Sequence, residues 1–149
     1  MDFRHLTKGA TLYLLVFNAG ALFYTGDSHA VQGDGEVDGT SVEASLTPTL
    51  QFVLHKGEGR KMNWPRAEDA ENWYVMGMDM DLDEAMKGAV QECVAFLARK
   101  ADLSPADAYA LASIAVDFHV GEAVDAVQMV YGVVPKGLLK EKEAYWAGR

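Results

Sequence analysis

Apolar positions change their period near the middle of the chain, from runs and alternations that suit strands to a stripe that suits helices. Residues 11–24 are rich in Leu, Val, Phe and Tyr and are interrupted at Asn18-Ala19-Gly20, a pattern that predicts two buried strands meeting at a turn. Residues 40–45 and 49–55 again alternate in the manner of strands, separated by Thr47-Pro48. A tight polar turn is expected over 56–60 and a further strand over 72–78. From there the period becomes helical. Asp81 stands where a cap belongs, Glu84 follows three residues later, and Leu82, Ala85, Met86, Ala89, Val90, Cys93, Phe96 and Leu97 form one stripe, predicting a helix over about 81–99. Ser104, Pro105 and Asp107 announce a second helix over 105–116. Residues 118–120 and 124–134 return to strand character, Pro135 ends it, and 140–149 is polar apart from Tyr145 and Trp146. No internal repeat is visible. The order of elements predicts an α+β fold: a mostly antiparallel sheet or barrel-like layer, with the two helices packed on one side.

Composition narrows the partners more than the fold. At 149 residues, half of them apolar and 23% charged, the chain has the size and balance of one globular domain. A net charge of -9, with no basic cluster beyond the modest Lys56, Arg60 and Lys61 group, would repel a phosphate backbone, so no nucleic-acid partner is expected. The apolar runs fall far short of the roughly 20 residues a membrane-spanning helix needs. The first residues lack the basic region, apolar run and cleavage site of a signal peptide, so a cytoplasmic location is expected. Cys93 lies within the helical stripe, which argues for a reducing compartment and against a reactive thiol.

Chemistry concentrates between residues 26 and 39, where four glycines and four acidic residues surround His29. In an extended backbone Asp27 and His29 share one face, as do Asp34 and Glu36, so two short pairs could converge across a bend. Imidazole with carboxylate oxygens suits zinc or a similar ion, whereas Asp34 and Glu36 with carbonyl oxygens suit calcium or magnesium; residue types leave the choice open. The plain alternative is a glycine-rich acidic turn whose side chains cap their own backbone. Elsewhere, Asp117 and Asp125 read as caps or surface residues, and His55 and His119 have no partner at ligand spacing. Trp64, Trp73 and Tyr74 read as packing, and Met76, Met78, Met80 and Met86 as adaptable filler.

The run Gly26-Asp27-Ser28-His29-Ala30-Val31-Gln32-Gly33-Asp34-Gly35-Glu36, continued by Val37 and Gly39-Thr40, resembles the signature of the acetamidase/formamidase family. The resemblance extends over Asp2, Arg4 and Leu6, over residues 9–14 and 20–23, and downstream over 74–81, 103–111, Asp117, Val124-Asp125 and Val134-Pro135-Lys136. It implies a single domain over 1–149 like the C-terminal half of such a protein. It further implies metal-assisted hydrolysis of small amides of the formamide and acetamide type, releasing ammonia. A divalent ion is then expected, zinc ahead of calcium or magnesium, with Asp27 and His29 as ligands. Glu36 and Asp34 are the candidates for proton transfer, Asp34 alternatively serving as a ligand or as the partner that orients His29. His5 falls in a segment that the family places near its site. Family members are considerably longer, so a site shared between halves would be incomplete here, and a homo-oligomer or a separate N-terminal-half subunit is expected as partner. The rival reading is a non-catalytic assembly or regulatory subunit that keeps the signature as a structural or metal-binding turn.

Overall fold

The computed structural model describes residues 1–139, so the polar tail expected over 140–149 lies outside the described residues. Five strands form one antiparallel sheet: β1 (Thr11–Tyr13), β4 (Arg66–Glu68), β5 (Asn72–Asp79), β7 (Gln128–Pro135) and β6 (Asp117–Glu122), in that spatial order. A second, two-stranded sheet pairs β2 (His29–Val31) with β3 (Val42–Glu43). Between β5 and β6 run α1 (Leu82–Ala101) and α2 (Pro105–Ala115). The architecture is α+β, and the large sheet is open rather than closed into a barrel, because β1 and β6 do not pair with each other.

Both helices start where their caps predict. Asp81 accepts from the backbone N–H groups of Asp83 and Glu84 at 2.8 and 3.2 Å, and Ser104 accepts from that of Asp107 at 3.1 Å. Glu84 does not return the bond expected of it; its carboxylate meets Lys87 at 2.5 Å, and the backbone N–H of Asp81 goes to Asp79 instead. The helix ends at Asp102, which takes the left-handed conformation (φ 58°) that closes a final turn.

Alternation along the two central strands assigns their faces. Trp73, Val75, Val130 and Val134 point toward the helices, where they meet Cys93, Phe96, Leu97, Ala85 and Ala89. Helix α1 crosses β5 at Gly77, where a Cβ would stand 2.2 Å from the backbone nitrogen of Ala89, so only glycine permits this approach. Tyr74, Met76, Met129 and Tyr131 point to the opposite face and are covered by Phe3 of the N-terminal segment, which packs edge-on to both tyrosines. The candidate site is built on this second face.

Three expectations about strands are corrected. Residues 11–24 form only the short β1, residues 40–45 only the two-residue β3, and 49–55 no strand. Beyond Leu15 the large apolar side chains of these segments stay in solvent: Phe17 is 84% exposed, Tyr24 90%, Phe52 70% and Leu54 69%. A strand needs a ladder of backbone hydrogen bonds as well as apolar side chains, and among the described residues 14–24 and 45–55 form none. Phe23 and Phe52 stack edge to face at 4.9 Å, so the two segments run together as one arm. The strand expected over 124–134 begins only at Gln128, and the short β4 carried too little pattern to be foreseen. The polar turn near 56–60 is present as a short 3-10 turn over Gly59–Lys61. No helix among the described residues is long and apolar enough to cross a membrane.

Candidate metal centre

Two local features fold the signature run around His29. β2 and β3 pair His29 with Glu43, and the backbone N–H of Ala44 donates to the Ser28 carbonyl at 3.0 Å. The intervening loop is clamped to the edge of β6 through Gly35, whose N–H donates to the Gly121 carbonyl at 3.1 Å and whose carbonyl accepts from Ala123 at 2.9 Å. Gly35 (φ 88°) and Glu36 (φ 41°) both lie in the left-handed region, and this turn swings Glu36 back toward His29. Asp27 is left-handed as well, at φ 59°.

His29 thereby collects three carboxylates. Its Nε2 lies 3.3 Å from Asp27 Oδ1 and 3.2 Å from Glu43 Oε1, and its Nδ1 lies 3.6 Å from Glu36 Oε1. The imidazole is 8% exposed and the Glu36 side chain 6%, yet Nε2 makes no hydrogen bond. On the other side of the ring Nδ1 faces Gln32 Oε1 at 3.4 Å, and Gln32 Nε2 donates to the Asp2 carbonyl at 3.0 Å. Ser41 Oγ donates to Glu36 at 2.8 Å and holds that carboxylate in place. Burial disfavours the imidazolium, but the Gln32 bond and the charges of Glu43, Asp27 and Glu36 outweigh it and hold the His29 pKa above its ordinary value. Chemically, the three carboxylates favour positive charge at His29.

Asp2 lies close enough to Asp27 and His29 to join them, and also adjoins Glu122 and Asp125. Burial pushes the Glu122 carboxyl up to about 7. Asp34 does not share a side with Glu36 and does not orient His29, because the left-handed turn at Gly35 and Glu36 breaks the extended geometry assumed for 34–36. Gln32 takes the orienting position. Asp34 instead accepts from the Tyr131 hydroxyl at 2.9 Å, with Arg4 at 3.7 Å and His119 at 3.8 Å from its other oxygen. His119, without a partner at ligand spacing in the sequence, is exposed and stacks its ring on Tyr131 at 5.3 Å. His5 lies between Tyr74 and Tyr131, within 3.3 and 3.1 Å of their hydroxyls.

Of the residues singled out in the sequence, the fold gathers Asp27, His29 and Glu36 and places Asp34 in a neighbouring cluster. Glu43, Gln32 and Tyr131 were missed: they lie 14, 3 and 102 positions from His29, and only the β2–β3 register hints at the first. Asp117 is exposed at the start of β6, while Trp73 is packed in the core, as expected. His55 adjoins the ring of Tyr13. Met76 fills the core but Met80 is 76% exposed. Cys93 is fully buried, and burial pushes its thiol up to about 12, so it is no nucleophile.

Fold and site together define an α+β domain that carries a buried histidine ringed by carboxylates. The sequence profile of the Acetamidase/Formamidase family matches residues 1–140, and the chain belongs to that family. Among solved structures it resembles the acetamidase from Yersinia enterocolitica, with 30% identity and a TM-score of 0.79 over 95% of this chain and 42% of that one. The acetamidase from Bacillus halodurans matches with 26% identity and a TM-score of 0.77, over 92% of this chain and 46% of that one. A predicted acetamidase/formamidase from Thermoanaerobacter tengcongensis matches with 26% identity and a TM-score of 0.76, over 93% and 45%. The chain thus spans less than half the length of these relatives. No curated protein matches it.

Proposed function

We propose that the chain supplies the metal-binding part of a hydrolase of small amides, of the formamide and acetamide kind, and that it works together with a further portion of an acetamidase-type fold. The observation that carries the reading is His29 Nε2: buried, without a hydrogen bond, and facing two carboxylate oxygens at 3.3 and 3.2 Å. An imidazole nitrogen with carboxylate oxygens suits zinc ahead of calcium or magnesium, and Asp27, His29 and Glu43 are the residues that would hold it. Such an ion, when bound, polarises a carbonyl and makes water a better nucleophile near neutral pH.

The chain's own groups supply the rest. Gln32 accepts the Nδ1 proton of His29, which leaves the Nε2 lone pair turned toward Asp27 and Glu43. An amide is a poor electrophile with a poor leaving group, so a base must take a proton from the attacking water and an acid must deliver one to nitrogen. Glu36, buried and held by Ser41, takes the first role. The second proton reaches nitrogen by way of Asp34, which can receive it from the Tyr131 hydroxyl at 2.9 Å.

The exposed arm supports the partnership. Residues 16–26 and 45–54 are exposed and carry no charged side chain in a chain of net charge -9, and they lead directly into Asp27 and away from Glu43. The portion of the solved relatives that this chain does not cover is the occupant best matched to this apolar, unpaired surface beside the site.

The test is elemental analysis with an ammonia assay on formamide and acetamide, run on the chain alone and on the chain mixed with that remaining portion. Wild type should bind zinc near one equivalent, Asp27→Ala and His29→Ala should lose it, and ammonia should appear only in the mixture. Absence of bound metal would sink the metal assignment. Metal without ammonia from the mixture would favour the assembly subunit, and a stable dimer of the chain alone would assign the arm to a second copy.

A further inference from the structure

The second face of the sheet carries an unbroken hydrogen-bonded row: Asp69, Tyr74, His5, Tyr131, Asp34. Tyr74 donates to Asp69 Oδ2 at 2.5 Å, Tyr131 donates to Asp34 Oδ1 at 2.9 Å, and the two ring nitrogens of His5 face the two phenol oxygens at 3.3 and 3.1 Å. The ring is held flat against Tyr74 at 4.5 Å and edge-on to Tyr131, with Phe3 packed beside all three. Among the described residues, His5 is the link between the two carboxylates.

Counting protons makes its role specific. Four contacts join the five groups, and each needs one proton between its two heavy atoms. Each phenol brings one, since burial and the adjoining carboxylates raise both tyrosines above their ordinary pKa, Tyr74 to about 12. A neutral imidazole brings one more, so three protons serve four contacts and one contact must go without. An imidazolium brings two, and every contact is then filled.

The contact left empty by neutral His5 is the one between Tyr131 and Asp34. Asp69 keeps its phenol proton, because its bond to Tyr74 is the shorter of the two phenol–carboxylate bonds. Asp34 has compensation close by in the Arg4 guanidinium at 3.7 Å. Neutral His5 therefore donates from Nδ1 to Tyr74 and accepts at Nε2 from Tyr131, whose hydroxyl turns away from Asp34.

We infer that His5 is a positioning residue that decides, through the Tyr131 hydroxyl, whether Asp34 is capped by a hydrogen bond or stands free to exchange a proton. The inference deepens the role given to Asp34 in the hydrolase reading, but its geometry stands without it. The charged and titratable groups facing His5 are Asp34 and Asp69, which favour its charge, and Arg4 and His119, which oppose it; burial is the largest influence and keeps its pKa below the ordinary 6.5. Below that pKa Asp34 is capped, and above it Asp34 is free.

The test reads the imidazole and carboxyl signals by NMR on the intact chain across pH, so it needs no turnover and can succeed or fail apart from the amidase assignment. His5 should titrate below 6.5, show the Nδ1–H tautomer when neutral, and impose an inflection at its own midpoint on the Asp34 carboxyl shift. Tyr131→Phe and His5→Gln should both remove that inflection. His5→Gln keeps one donor and one acceptor in a side chain that does not titrate, and it guards against a variant that merely unfolds. If turnover is established, these variants should flatten the acid limb of kcat with little change in KM. An Nε2–H tautomer, or an Asp34 inflection that persists in either variant, would overturn the inference.

Discussion

The two faces of the five-stranded sheet are closed by opposite means. On the helix side, Val75, Cys93, Phe96 and Leu97 are fully buried against one another, and α1 approaches so closely at Gly77 that no Cβ fits. On the other side, Tyr74 and Tyr131 are nearly as buried, but their hydroxyls, His5, Asp34 and Asp69 form a polar row, and His29 lies beyond it with an unsatisfied nitrogen. Dry packing is a source of stability that needs nothing from outside. The polar face is satisfied only when protons, and by our reading a cation, are supplied, so stability and chemistry are segregated to opposite sides of one sheet.

The sharpest way to break this comparison is to cut each side separately. Phe96→Ala should cost about 3–5 kcal/mol by cavity formation, a large part of the stability of a domain this size, whereas His29→Ala should leave metal-free unfolding nearly unchanged; denaturant melts of the two variants decide this. Gly77→Ala should come next, at about 1–3 kcal/mol, because the added methyl would have to push the helix away from the strand. Gln32→Ala should weaken metal affinity by about 10–100-fold in a titration while leaving the metal-free melt in place, since it removes the group that fixes the His29 tautomer.

Acidity separates the faces more gently. The Glu122 carboxyl is raised from 4.5 to about 7 in the folded chain, so the folded state holds its proton more tightly than the unfolded state. Its contribution is therefore complete below pH 4.5 and is lost as pH rises toward about 7. Glu122→Gln should flatten that part of the stability profile in melts taken across the range. The smallest effect belongs to the arm: Phe17→Ser, at 84% exposure, should shift stability of the isolated chain by less than about 0.5 kcal/mol, while weakening capture of the remaining portion of the fold in a pull-down.

Legibility along the sequence follows how local the determining force is. Both helices were readable because cap, period and stop lie within a few residues of each other, from Asp81 to Asp102 and from Ser104 to Val116. Residues 14–24 and 49–55 misled because apolar content announces a wish for burial without naming a partner, and among the described residues no strand pairs with them. At the site, Asp27, His29 and Glu36 could be suspected from eleven unusual residues in a row, but Asp34 was set on the wrong side by assuming that the backbone stays extended through Gly35.

What the sequence determined by itself was the helix pair, the density of ligating side chains around His29 and the resemblance that the family match bears out. Only the tertiary structure decided which of those side chains meet. The pairing of His29 with Glu43, the clamp of Gly35 on the edge of β6, and the row that joins Asp34 to His5 through Tyr131 all depend on contacts between distant segments. Such contacts arise from strand register and close packing, which are set by the whole sheet at once and leave no periodic mark on any one segment.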